Sequence, residues 1–197
     1  MRIWHALTAL VFGLVAAAAP LGVAGRGAGE VVVRLEKVAG SALQEGVASG
    51  MIEAPPERVF AALKDFAHYR EFMPFVAHSD AAPQPDGSVL SAQSLALPFP
   101  LGERHYTVRA VAAVEAKAAG RLWRLSWSYL PGSGNIVAHH GSWSLAAFGG
   151  GTLATCRLYT DPGGVPAWAM NRVTARSLGW IFKGLRQQVM RPRYAVP

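Results

Sequence analysis

Apolar and polar positions alternate through most of this chain, and at two places the alternation gives way to a helical period of about 3.6. Val31–Val38 reads as a strand, Gly40-Ser41 as a turn and Leu43–Ile52 as a second strand. At Ala54-Pro-Pro-Glu-Arg-Val-Phe the period changes. Pro56 suits the first turn of a helix, where its missing N–H would be unpaired anyway, and Val59, Phe60 and Leu63 share one face. A second short helix is expected over His68–Phe72. The cluster of Phe66, Tyr69, Phe72, Met73 and Phe75 around it reads as core packing.

Alternating runs then follow at Val76–Ala81, Val89–Leu97, Arg104–Val114, Leu122–Leu130, Ile136–Phe148 and Thr152–Thr160, separated by Gly and Pro. Asp86-Gly87 and Gly149-Gly150-Gly151 are turn signals, so the stretch predicts an antiparallel meander. Parity puts Tyr106, Val108, Ala110, Ala112 and Val114 on one face. Trp123, Leu125, Trp127 and Tyr129 share the next, then Val137, His139, Gly141, Trp143, Leu145 and Ala147, then Ala154, Cys156 and Leu158. That inner surface mixes large aromatics with alanine and glycine.

The second helical stretch, Val165–Met190, follows Asp161-Pro-Gly-Gly-Val-Pro. On a helical wheel Arg172, Arg176, Lys183 and Arg186 form one ridge. Met170, Val173, Leu178, Ile181, Phe182, Leu185 and Val189 fill the opposite side, and Trp180 stands at the border. Thr174, Ser177, Gly184 and Gln188 interrupt the apolar arc. Close packing favours large side chains at such positions. Two readings follow: an ordinary helix-on-sheet core, or a lid over an incompletely filled interior. The layout is α+β, with one helix covering the concave face of a whole sheet.

Composition changes this picture at the N-terminus. Arg2 precedes the uncharged apolar run Ala6–Ala19, Pro20 breaks it and Gly22-Val23-Ala24 supplies a small-x-small site, which predicts a secretory signal over 1–24. The competing reading is an uncleaved anchor. Export places the mature chain in an extracytoplasmic compartment, periplasmic or secreted. The formal charge of +7 is concentrated after Asp161, beyond which no acidic residue occurs. No zinc-finger spacing, basic-region heptad pattern or single-strand-binding signature accompanies it, so nucleic acid is not the expected partner. An anionic membrane surface or an acidic ligand headgroup fits better. Cys156 is the single cysteine, which rules out an intramolecular disulfide and a cysteine metal cluster. Residues 30–190 read as one domain, 191–197 as a basic tail, and the protein as a monomer.

Candidate chemistry is sparse. Gly-x-Ser-x-Gly, His-Glu-x-x-His and phosphate-loop patterns are absent from the sequence. His139 and His140 are adjacent on a strand and point to opposite faces, so they do not form a metal pair, and neither a metal nor a cofactor is expected. His139 is either a hydrogen-bonded core histidine or a polar anchor for a ligand headgroup. Arg104 shares parity with Tyr106; it either meets an oxygenated ligand group inside or pairs with Glu103 or another carboxylate. Leu97-Pro-Phe-Pro-Leu101 places Leu97, Phe99 and Leu101 at a hairpin tip, where they are costly to expose unless they gate a cavity or meet a membrane.

The order of these elements resembles the START-like superfamily, the helix-grip fold of lipid-transfer domains, polyketide cyclases and coenzyme-Q-binding proteins, over Gly46–Val189. Ala54-Pro-Pro-Glu-Arg-Val-Phe with Asp65, Tyr69, Phe72, Met73 and Pro74 resembles the opening helices of the cyclase and quinone-binding branches. Pro100 and Arg104 resemble the lipid-transfer branch, with His105 standing where an aspartate is usual. Asp161–Asn171 with Leu185-Arg186 resembles that branch too. The resemblance implies a curved antiparallel sheet wrapped around a long C-terminal helix, with a hydrophobic tunnel for one lipid-like molecule between them. The expected cavity residues are Arg104, Tyr106, Trp123, Trp127, His139, Trp143, Thr174, Ser177 and Ile181, with Arg172, Arg176, Lys183 and Arg186 toward a membrane. The expected function is an exported lipid carrier without catalytic residues. The alternatives are a cyclase-like enzyme acting on a polyketide or aromatic substrate, and a scaffold whose cavity is filled by Trp123, Trp127 and Trp143.

Overall fold

The computed structural model describes residues 29–97, 99, 102–118 and 120–195. The segment read as an export signal, Leu101 and Val196-Pro197 lie outside the described residues. In chain order the elements are β1 (Val31–Lys37), β2 (Gln44–Ile52), α1 (Pro56–Lys64), a 3-10 segment (Phe66–Glu71), β3 (Val76–Pro83), β4 (Val89–Ala96), β5 (Glu103–Lys117), β6 (Gly120–Tyr129), β7 (Ala138–Phe148), β8 (Gly151–Asp161), α2 (Ala167–Gln188) and a 3-10 turn (Pro192–Tyr194). The strands make one eight-stranded sheet in the order β1-β2-β8-β7-β6-β5-β4-β3, and every pairing is antiparallel. The meander therefore runs in sequence order, and the first hairpin closes onto it where β2 pairs with β8, Gly46 opposite Leu158. The curved sheet grips α2, the helix-grip arrangement.

Both helices start at proline. Pro55 and Pro56 open α1, and Pro166 precedes α2. The face of α1 formed by Val59, Ala62 and Leu63 is wholly buried against β6, β7 and β8. It covers Trp123, which is only 6% exposed, but leaves the second half of β5 bare. Ala112 and Val114 keep the predicted parity and are nevertheless exposed, Val114 by 52%. Val137 also departs from its expected inward place: it is exposed, and Ile136 is buried instead. The cause is the loop before β7, which is pinned to β5. Asn135 donates its backbone N–H to the His105 carbonyl at 3.0 Å and accepts the His105 N–H on Oδ1 at 2.9 Å.

Helix α2 is tied to the sheet at both ends. Near its start, Asn171 Oδ1 accepts the backbone N–H of Gln44 at 2.9 Å. Near its end, Arg186 donates from Nε and Nη2 to the Met51 carbonyl, at 3.0 and 2.8 Å, and from Nη1 to the Gly29 carbonyl at 3.0 Å. The chain after α2 packs back on the domain. Tyr194 is buried, donates its hydroxyl to Asp65 Oδ2 at 2.8 Å, and accepts from Gln188 Nε2 at 3.1 Å. Arg193 pairs with Glu71 at 3.2 Å.

Candidate functional site: a cavity with one polar end

Between α2 and the inner face of the sheet lies a cavity of about 140 Å³. A single water needs roughly 10–15 Å³ in the same measure, so the space is that of a larger molecule. One wall is the α2 face of Val173, Thr174, Ser177 and Ile181; another is the 3-10 segment and its exit, through Phe66, Tyr69, Met73 and Phe75. The inner end is apolar, with Trp143, Cys156 and Ile181. Five polar groups gather where β4 ends, β5 and β7 begin and β8 ends, Gln93, Arg104, Tyr106, His139 and Thr160, and Thr174 and Ser177 add two hydroxyls on the α2 wall. Among the described residues no aspartate or glutamate lines the cavity.

At this polar end most groups satisfy one another. Tyr106, buried to 5% exposure, donates its hydroxyl to Gln93 Oε1 at 3.3 Å, and Gln93 Nε2 donates to Ser91 Oγ at 3.1 Å. His139 is held on both nitrogens. Trp127 Nε1–H can only donate, so its 3.0 Å bond makes His139 Nε2 an acceptor. The ring proton therefore sits on Nδ1 and is donated to Thr160 Oγ1 at 2.9 Å. Burial, with a smaller contribution from neighbouring His140, lowers the His139 pKa to about 3, and the ring is neutral at physiological pH. Burial likewise raises the pKa values of Tyr106 and Cys156 well above their ordinary range, so neither is an ionised nucleophile near neutrality.

Arg104 is the exception. It lines the cavity and donates Nη1 to the carbonyl of Glu103 at 3.0 Å, while its buried Nε has no partner. The carboxylate pairing, one of the two sequence readings of Arg104, does not form: among the described residues Arg104 belongs to no ion pair. A buried guanidinium N–H without an acceptor, on a residue that lines a cavity with no carboxylate among the described residues, leaves a donor to be satisfied.

Of the other expected residues, Tyr106, Trp127, His139, Trp143, Thr174, Ser177 and Ile181 line the cavity. Trp127 and Trp143 leave it open rather than filling it. Trp123 does not line it; α1, whose packing on β6 has no signature in strand parity, takes that tryptophan into the core. Leu97 lines the cavity, Phe99 projects from the hairpin tip at 98% exposure, and Leu101 lies outside the described residues. Arg172, Arg176 and Lys183 are exposed on α2. Arg186 is not among them, because its guanidinium is consumed by the backbone carbonyls of Met51 and Gly29. Sequence reasoning missed Gln93 and Thr160, although parity with Leu95 and with Leu158 would have found both. Phe75 had no such signal: it turns inward from a backbone with φ of 65°, a left-handed conformation that bulky residues rarely adopt.

A family model described as polyketide cyclase / dehydrase and lipid transport matches residues 44–188. The chain belongs to this family. Comparison with curated proteins finds no match. Among solved structures, the cyclase and lipid-transport domain is similar to a STAR-related lipid transfer protein from Xanthomonas axonopodis, at 23% identity and a TM-score of 0.71, covering 82% of this chain and 94% of that one. It is similar to human STARD10 at 16% identity and a TM-score of 0.67, covering 85% and 71%. It is also similar to the Zhui aromatase/cyclase from a Streptomyces species, at 13% identity and a TM-score of 0.56, covering 77% and 98%. These likenesses are of fold. Family and fold together make the domain a binder of hydrophobic small molecules.

Proposed function

We propose that the protein is an exported, monomeric carrier that holds one lipid-like molecule in the cavity and exchanges it at an anionic membrane surface. The observation that carries this reading is a cavity with no carboxylate among the described residues and with five of its polar groups clustered at one end, Arg104 among them with its Nε unpaired. An amphiphile fits that layout: burying its tail contributes about 0.8 kcal/mol per methylene, and its headgroup oxygens meet the guanidinium. The cyclase alternative needs a general acid or base aimed at substrate. His139 is the titratable group best placed for that role, and both of its nitrogens are already hydrogen-bonded to Trp127 and Thr160. The export part of the reading rests on the apolar run and small-residue site within 1–24.

Native mass spectrometry of protein purified from cell envelopes, followed by organic extraction, tests the carrier. One amphiphile bound per chain is expected. An empty protein that also takes up no member of a fatty-acid, phospholipid, quinone and sterol panel overturns it.

A further inference from the structure

The outward face of α2 carries Trp168, Arg172, Arg176, Trp180, Lys183 and, just past its end, Met190. The first four recur every fourth residue, so they form one continuous strip. Trp168 is 75% exposed, Trp180 49% and Met190 62%, although the opposite face of the helix is fully used in the core. No acidic residue occurs anywhere after Asp161. Large apolar groups left in water beside cations of one sign are unusual on a helix that already has a buried side. The helix spans about 33 Å at about 1.5 Å per residue, and these side chains run along it as one linear ridge.

We propose that this ridge docks the protein side-on to an anionic phospholipid bilayer, Trp168, Trp180 and Met190 entering the headgroup region and Arg172, Arg176 and Lys183 meeting lipid phosphates. Indole rings favour such an interface because they are apolar bodies with one donor, and cations near an anionic leaflet add to the affinity. Charge complementarity and the shape of the ridge favour a bilayer over an acidic protein. The ridge also touches the cavity wall. Trp180 packs edge-on against Phe75, with ring centroids 5.7 Å apart, and Phe75 both lines the cavity and holds the strained backbone. Docking along α2 therefore brings lipid beside the one described wall residue, glycines aside, whose backbone is in the left-handed region. The inference rests on the carrier reading only for what docking accomplishes.

Flotation of the purified protein with phosphatidylcholine vesicles, with and without phosphatidylglycerol, tests it. The wild type should float with the phosphatidylglycerol vesicles, and salt should weaken this. Each cation near the surface is worth about fivefold, so Arg172→Gln/Arg176→Gln should lower partitioning by about 25-fold, and Trp168→Ser should lower the part that survives high salt. Uptake of a fluorescent fatty acid, measured without vesicles, should be unchanged in these variants, as should their thermal melting. Equal partitioning into both vesicle types, or variants that float like the wild type, overturns the proposal and leaves a protein partner as the occupant of the ridge. If the wild type floats with anionic vesicles but takes up no fatty acid or other panel lipid, docking stands and the carrier reading falls.

Discussion

At the scale of single residues, Arg104 and His139 are polar groups of opposite character in one cavity. Arg104 keeps a buried Nε–H without an acceptor, whereas both nitrogens of His139 are engaged. Hydrogen bonds to a charged group contribute about 1.5–3 kcal/mol. Arg104→Gln should therefore weaken binding of a fatty acid by about 10- to 100-fold while changing the affinity for the matching uncharged alcohol by much less, as fluorescence displacement would show. Equal losses for both would mean that Arg104 shapes the cavity rather than reading a headgroup. His139 predicts a dependence of stability on pH. Its folded pKa of about 3 lies below the ordinary value of 6.5, so between those pH values the unfolded chain binds the extra proton. Stability should then be unaffected by this residue above pH ~6.5 and fall progressively as acid is added toward pH ~3. Urea denaturation across that window should give a shallower pH slope for His139→Gln than for the wild type.

At the scale of elements, the seating of α2 is decided by where backbone approaches backbone. Thr174 and Ser177, two of the four small or polar interruptions in its apolar arc, do face the cavity. The other two do not. Gln188 is buried in a hydrogen-bond cluster with Glu71 and Tyr194. At Gly184 an added Cβ would lie 2.2 Å from the carbonyl oxygen of Phe72, so the helix and the 3-10 segment meet there with no room for a side chain. Gly46 plays the same part on β2, where a Cβ would stand 2.6 Å from Leu178 Cδ1 and 2.7 Å from Thr174 Cγ2. Overpacking typically costs about 1–3 kcal/mol, or about 3–10 °C in melting temperature for a chain of this size. Gly184→Ala should reach the upper end, because its neighbour is backbone and cannot swing aside. Gly46→Ala should cost less, since side-chain ends can move, and should reduce lipid uptake by shifting α2 on the sheet. Calorimetry of both variants checks the order, and a milder effect for Gly184→Ala would show that the 3-10 segment yields.

At the scale of the whole molecule, one helix closes a sheet that it does not fully fill, so stability and occupancy are linked. A ligand at about 100 times its dissociation constant adds about 2.7 kcal/mol, which should raise the melting temperature by about 5–10 °C. Scanning calorimetry before and after delipidation measures this; an unchanged melting temperature would mean that nothing binds the native cavity. The antiparallel meander and the two proline-led helices were legible because strand parity, turn residues and helical period act locally and agree with one another, whereas the cavity was one of two readings of the α2 face and otherwise what the family resemblance implied. The same parity placed Tyr106, Trp127, His139 and Trp143 in the cavity wall.

What the sequence determined by itself is therefore the architecture and the kind of surface each element turns inward, since both follow from interactions within a few residues along the chain. What only the tertiary structure decided are the matters of contact between distant segments. Trp123 went under α1 instead of into the cavity, Arg186 was taken by the carbonyls of β2 and of Gly29 rather than left to solvent, and Phe75 was turned inward against its own backbone preference. Each depends on which far part of the chain arrives at a given face. A one-dimensional pattern records that a side chain is buried or amphipathic, but not what comes to cover it.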